Sequence, residues 1–391
     1  MFIILILTIL LLIYGIFEQV IHLKKIKKIP IRIHVNGTRG KSTTTRLIAA
    51  GLREAGFKVL AKTTGTLPRL ILEDGTEIPI QRKGRVNISE QIKILSQAAK
   101  RKVDAVVVEC MAITPEMQWV SEHKMVQSTI GVITNVREDH LEDIGSGLDV
   151  MADALKLTIP KNGVLVTAEK DYYSTLKKQA EKLGTKIISA EPDNISDVII
   201  DKFDYMNFKE NISIALKVNK LLGVKEEKAL RGILKAAPDP GALKVFKVSN
   251  DGKILHFVNA FAANDRNSTL MILENIKKNA DLQNMPIIGI INNREDRVLR
   301  ALQFAKIFAI DIPLTKILLV GQYSRLSERT LKKLKVPDNR ILKLGMIINI
   351  ERILQIAFNQ FNHKGLLIGF GNTKGMGQNL IDYFNEFGEI K

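Results

Sequence analysis

Gly37-Thr38-Arg39-Gly40-Lys41-Ser42-Thr43 is the stretch whose residue types and spacing most directly suggest chemistry. A glycine turn before a helix lets backbone N–H groups converge on phosphate oxygens, and the helix amino end adds a favourable field. Lys41 can then reach the outer phosphates, and the Ser42 hydroxyl can ligate Mg²⁺. The usual phosphate loop has four residues between its first glycine and the Gly-Lys pair, whereas here only Thr38 and Arg39 intervene. The stretch therefore predicts nucleotide binding through a shortened loop. Arg39 either touches phosphate or faces solvent. No Asn-Lys-x-Asp guanine signature is present, which favours ATP.

Two later groups carry further polar chemistry. Glu109 ends "VVVE", and Asn135, Asp139 and His140 follow "GVIT". Open α/β sheets bind ligands at the carboxyl ends of their strands. A carboxylate and an imidazole there could complete the shell of one or two Mg²⁺ ions, although Mg²⁺ prefers oxygen. Taken alone, His140 reads as a structural histidine.

These residues need a scaffold, and the pattern supplies one. "IRIHVN" reads as a strand feeding the glycine loop, and "KSTTTRLIAAGLREAG" as the helix that follows it. "FKVLAKT", "VDAVVVEC", "STIGVITNV", "GVLVTA" and "TKIISA" continue as strands. Their runs are apolar throughout, as in a parallel sheet covered on both faces. Helices are expected over "NISEQIKILSQAAKRK", with Ser89 as a cap, over 147–158, and over "NFKENISIALKVNKLLG" and "KEEKALRGILKAA". "PDPG" at 238–241 then interrupts the chain, and a second series begins with "KVFKVS", "ILHFVNAFA", "MPIIGIIN", "KILLVG" and "GLLIGFG". The expected class is α/β. A doubly wound, parallel-sheet P-loop ATPase domain spans 23–237. A smaller Rossmann-like α/β domain spans 238–391.

Before both comes "MFIILILTILLLIYGIF", uncharged up to Glu18 and followed by Lys24, Lys25, Lys27, Lys28 and Arg32. About 20 apolar residues suffice to span a bilayer. Residues 1–22 are accordingly expected to form a membrane anchor, and the basic residues after it keep the following domains cytoplasmic. No basic region precedes the run and no small-residue cleavage site follows it, unlike a removed signal peptide. The 58 Lys and Arg against 41 Asp and Glu give a net charge of +17, which suits a polyanionic partner. The basic residues are scattered and match no nucleic-acid-binding signature. Cys110 is the single cysteine, so an internal disulfide is excluded. Its place at the end of an apolar run predicts a buried structural thiol.

The shortened loop, Glu109, and Asn135 with Asp139-His140, in this order, resemble the ATP-dependent Mur ligase superfamily. Within it, the chain looks most like the ligase subunits of poly-γ-glutamate synthases. The likeness runs through "HVNGTRGKST", "AKTTGT", "GRVNISEQ", "VVECMAITPE", "ITNVREDH", "VNAFAAND" and "NNREDR" to "GFGNTKGMG". It implies an ATP-dependent acid–amino-acid ligase that lengthens poly-γ-glutamate through an acyl phosphate on a terminal carboxylate. It also implies ATP and two Mg²⁺ ions, with Ser42, Thr64 and Glu109 at the first ion and His140 at the second. Lys156 matches a position that relatives carbamylate; the competing reading is an exposed helix lysine. Asn211 matches an adenine-contacting position, against which stands a helix N-cap.

Departures from the family pattern are equally specific. Ala242 stands near where many relatives have an arginine close to the nucleotide. Asn259, Asn264 and Asp265 stand where peptidoglycan ligases carry histidine or lysine. Arg294, Asp296 and Arg297 would recognise substrate carboxylates or form an ordinary ion-pair network. The implied partners are glutamate, an acidic polyglutamate chain, the membrane and small membrane-integrated subunits, without nucleic acid; homo-oligomerisation stays open. A folylpolyglutamate-type ligase is the alternative inside the superfamily, and a membrane-tethered nucleotide switch or nucleic-acid-binding ATPase the alternative outside it.

Overall fold

The computed structural model describes residues 2–390 except 66, 83–86, 139–143, 146, 204, 206, 240–243, 262, 264, 279–281 and 347–348. Asp139, His140, Ala242 and Asn264 thus lie outside the described residues, as does the side chain of Asp296. Two compact units make up the chain. One comprises Met1–Phe203 and Asn207–Pro240, the other Asp204–Met206 and Gly241–Lys391.

The first unit is built on eight strands: β1 (Ile31–Asn36), β2 (Val59–Lys62), β3 (Arg69–Ile71), β4 (Glu77–Pro79), β5 (Ala105–Glu109), β6 (Ile130–Ile133), β7 (Val164–Thr167) and β8 (Lys186–Ser189). Their order is β4-β3-β2-β5-β1-β6-β7-β8. From β2 to β8 neighbouring strands are parallel, while β3 and β4 add an antiparallel edge. The phosphate-loop strand β1 lies centrally, with Val35 opposite Glu109 and Asn36 opposite Ile133. That register gathers the ends of β5, β1 and β6 at one edge. The chain also reverses direction across the sheet there, the usual place for a ligand crevice.

Helix α1 (Phe2–Ile26) precedes the sheet, α2 (Lys41–Glu54) follows the glycine loop, and α3 (Glu90–Arg101) precedes β5. On one face, Leu47, Ile48 and Leu52 of α2 pack with Ile212, Ile214 and Val218 of helix Lys209–Leu221. On the other, Ile94, Leu95 and Ala98 of α3 pack with Ile26 and Ile29. Each such leucine, isoleucine or valine contributes about 1.5–3 kcal/mol by leaving water. Most of α1 stays outside this core. It is 25 residues long, and its apolar stretch is exposed.

The second unit carries β9 (Val245–Asn250), β10 (Lys253–Asn259), β11 (Ile287–Asn293), β12 (Lys316–Gly321), β13 (Ile341–Gly345), β14 (Lys364–Gly371) and β15 (Glu389–Ile390), in the order β13-β12-β11-β14-β10-β9-β15. The five strands from β13 to β10 are parallel to their neighbours, and β9 pairs antiparallel with both β10 and β15. Its core is aromatic: the rings of Phe257 and Phe384 stack 4.2 Å apart, with Phe246 and Phe261 beside them.

Candidate active site

The glycine loop is shaped by the residues just after strand β6, together with Asn211. Gly37 has φ +121°, and a Cβ there would lie 2.1 Å from Thr134 Oγ1. Gly40 has φ +80°, and a Cβ there would lie 2.2 Å from Asn211 Oδ1. Both positions therefore require glycine for conformation and for space. Between them the backbone is bracketed. Asn135 Oδ1 accepts from Arg39 N at 3.0 Å, and Asn135 Nδ2 and Thr134 Oγ1 donate to Arg39 O at 3.1 and 2.7 Å. Thr38 N donates to Asn135 O, and the Thr38 hydroxyl to Arg137 O. Asn135 thus holds the loop in shape.

The amides of Lys41, Ser42 and Thr43 begin α2 and have no intrahelical acceptor. The Lys41 ammonium folds back onto the loop and donates to Gly37 O at 2.7 Å and Thr38 O at 3.0 Å. Cation and amides thus border one concavity, the geometry an anionic phosphate chain requires.

Glu109 faces the same mouth. It is buried, and its Oε2 accepts from Ser42 Oγ at 2.8 Å and from Thr64 N at 2.7 Å. Gln91 of α3 anchors the Glu109 carbonyl at 2.8 Å. Ser42, Thr64 and Glu109 are therefore brought together, with Thr64 contributing its amide. Asp239 joins them: a Cβ on Gly65 would lie 3.0 Å from Ser42 Oγ and 3.5 Å from Asp239 Oδ2. In the sequence, "PDPG" at 238–241 reads as a break between domains, and the only local mark of this buried acid is its place between two prolines. Among the described residues no three His, Cys, Asp or Glu side chains gather as a metal site. Two carboxylates and a hydroxyl still fit Mg²⁺, a hard ion that keeps several waters and shares substrate phosphates rather than filling an all-protein cage.

A second group was also missed. Lys62, fully buried at the end of β2, pairs with Glu90 Oε1 at 2.9 Å and donates to Met111 Sδ at 3.3 Å. Burial lowers the Lys62 pKa, opposed by Glu90. Burial would raise the Glu90 pKa, but Arg82, bonded to both carboxylate oxygens, and Lys62 together hold it below its usual value. On the far side of β5, His34 Nδ1 lies 2.8 Å from Glu122 Oε2, and Ser128 donates to Glu122 Oε1. Burial disfavours a charged His34, yet neighbouring Cys110 and Glu122 raise its pKa to about 10. Cys110 is buried, as expected.

Lys156 and Asn211 end up in different settings. Lys156 caps the helix Leu148–Leu155, and its ammonium bonds Asp153 Oδ1 at 2.5 Å. Asn211 is the third residue of its helix and not the N-cap, which is Phe208. Its Oδ1 accepts from Thr44 Oγ1 at 3.2 Å while pressing on Gly40, so it buttresses the loop.

In the second unit, Asn259 is buried at the end of β10. Arg294 and Arg297 follow β11, in and beside a turn of 3₁₀ helix. Asp265 accepts from Ser268 N at 2.8 Å and Ser268 Oγ at 2.6 Å, so its carboxylate caps the helix Arg266–Lys278. Asn292 and Asn372, which the sequence reading passed over, interlock through side chain and backbone, with Asn292 Nδ2 donating to Asn372 O and Asn372 Nδ2 to Asn292 O.

Comparison with known proteins gives the family and the fold. The Mur ligase middle domain matches residues 35–230, and the poly-gamma-glutamate synthase CapB C-terminal domain matches 245–387. The capsule biosynthesis protein CapB of Bacillus anthracis is 41% identical over 387 residues, covering 98% of this chain and 83% of that protein. PGA synthase CapB of Bacillus subtilis is 39% identical over 378 residues, covering 96% and 95%. E. coli FolC in complex with ADP shares the fold at a TM-score of 0.71 and 15% identity, covering 94% of this chain and 93% of that one. With both domain models matched in order and high identity along nearly its whole length, this chain belongs to the CapB family of poly-gamma-glutamate synthases, built on the Mur ligase fold.

Proposed function

We propose that the chain is an ATP-dependent ligase that adds glutamate to a growing poly-γ-glutamate chain. The observation that carries this reading is the contact of Ser42 and Glu109 at the mouth of a loop over which Lys41 is folded. In the proposed cycle a carboxylate oxygen of the polymer terminus bonds to the γ-phosphorus of ATP, and the bond to the ADP oxygen breaks. The amine of free glutamate then attacks the acyl carbon. Phosphate leaves with the bonding pair, the nitrogen loses its proton, and an amide remains.

The chain's own contribution is positioning and neutralisation of charge. The Lys41 ammonium would exchange two carbonyl contacts for the phosphate chain, and the amides of Lys41, Ser42 and Thr43 would face the transferring group. Mg²⁺, when bound, would screen the phosphates from the incoming carboxylate. Ser42, Glu109 and Thr64 are proposed to hold one ion, with Asp239 beside them, and His140 and a carbamylated Lys156 to hold a second. A carbamate replaces an ammonium with anionic oxygen, which suits Mg²⁺, and would release the contact to Asp153. Asn211 and Arg39 are proposed to border the nucleotide. Asn259, Asn264, Asp265, Arg294, Asp296 and Arg297 are proposed for the substrate side. Of these, Arg294 and Arg297 suit carboxylates best, because Asp265 already serves as a cap.

The exposed apolar length of α1 supports a membrane anchor, with residues 23–237 and 238–391 as cytoplasmic catalytic domains. Small membrane-integrated subunits would complete the synthase. A folylpolyglutamate-type ligase has the shared fold in its favour, and folate-dependent ADP release would single it out.

Site variants test the reading directly. Glu109→Gln should weaken binding of Mn²⁺, read by its electron paramagnetic resonance in the presence of ATP, and should lower turnover by about 10²–10³-fold. Lys156→Ala should lose activity and recover part of it with short carboxylic acids. Undiminished Mn²⁺ binding in Glu109→Gln would remove that residue from the metal site, and full activity in Lys156→Ala would remove the carbamate.

A further inference from the structure

The segment after β5 presents an exposed amphipathic face that the site does not use. Helix Pro115–Val120 runs directly into a π-helical turn, Ser121–Val126. Gln118, Ser121 and Glu122 point inward and are buried, whereas Trp119 is 41% and Met117 47% exposed. A π turn brings residues five apart into line, and here Lys124 Nζ stands 5.4 Å from the centre of the Trp119 ring. The His123 ring lies 5.3 Å away on the same side, its pKa lowered by burial, so it adds no second cation there at neutral pH. An indole beside an ammonium is a pairing that favours a membrane–water boundary; the exposed Glu116 and Gln127 lie at the two ends of the segment and mark its polar edge.

The face is also continuous with α1. Gln19 Nε2 donates to Lys124 O at 3.0 Å, and His22 Nε2 lies 2.6 Å from Met125 O. Gln19 follows Glu18, the first charge after the apolar stretch, so the turn carrying Lys124 is fixed where that stretch ends. Beyond it, Lys24, Lys27 and Lys28 are exposed and complement anionic headgroups.

We propose that Trp119, with Met117 and Lys124, lies in the headgroup layer of an anionic bilayer as a second membrane contact beside α1. This rests on the reading of α1 as an anchor. Because the end of α1 is packed into the catalytic unit through His22 and Ile26, a second contact beside it would set the tilt of that unit on the membrane.

Trp119 is the sole tryptophan and reports on itself. The full chain is reconstituted into phosphatidylcholine–phosphatidylglycerol vesicles and floated on a density gradient. Its emission is then compared with ordinary lipid and with lipid brominated near the headgroup. The proposal expects co-flotation, loss of Trp119 emission in the brominated vesicles, and a smaller loss in Lys124→Glu. Co-flotation with undiminished emission would overturn the second contact and leave the anchor standing, the result also expected if a protein partner covers this face. Failure to float would overturn both.

Discussion

Gly40 carries two constraints at once, a φ of +80° and a neighbour 2.2 Å from where a side chain would begin. A left-handed backbone costs an L-residue about 1–2 kcal/mol, and the contact with Asn211 adds to that. Gly40→Ala should therefore weaken binding of a fluorescent ATP analogue by roughly tenfold or more, each 1.4 kcal/mol being a factor of ten. Gly40→Ala/Asn211→Ala should recover only part of it, because the backbone strain persists; unchanged affinity in the single variant would contradict the proposed loop. At this scale the sequence disclosed residue types better than their work. Glu109 and Ser42 were legible from strand-end position and spacing. Asn135 was legible as a site residue, but nothing local says that both ends of its amide grip Arg39. Asp239 has only a faint local signal, its place between two prolines, and 197 positions of sequence separate it from Ser42, so the fold is what joins the two.

Between elements, the site depends on buried polar clasps. Gln91 and the Lys62–Glu90–Arg82 group tie the start of α3 to the ends of β5 and β2. His34 and Glu122 clasp β1 to the π-helical turn. Because the folded pKa of His34 is raised to about 10 from 6.5, its contribution to stability is fully present below pH 6.5. It is lost progressively as pH rises toward 10. His34→Gln should flatten the pH dependence of denaturant unfolding across that window, and a slope identical to that of the parent protein would contradict a charged His34. The central strands were readable as uninterrupted apolar runs such as Ala105–Val108, since both faces are covered. The three-residue strands β3 and β4 and the partly exposed β13 were not, because too few residues alternate to leave a pattern. Ser89 does stand at the N-cap of α3, but its side chain makes no capping bond, and its own amide donates to Asn87 Oδ1.

For the whole chain, family membership points to a polyanionic product, with which the +17 charge is complementary, and the exposed apolar helix is consistent with the proposed membrane anchor. Charge at that scale attracts an acidic polymer over about 8 Å at physiological ionic strength. It cannot select glutamate, which is why the central claim rests on coupling between nucleotide chemistry and polymer growth. The most direct test supplies membranes containing the full chain and its proposed partner subunits with ATP, Mg²⁺ and labelled glutamate. ADP and polymer-incorporated glutamate are measured together. The account predicts that the two rise in equal amounts and that both vanish in Glu109→Gln. ADP release indifferent to glutamate, or stimulated by nucleic acid in its place, would contradict it.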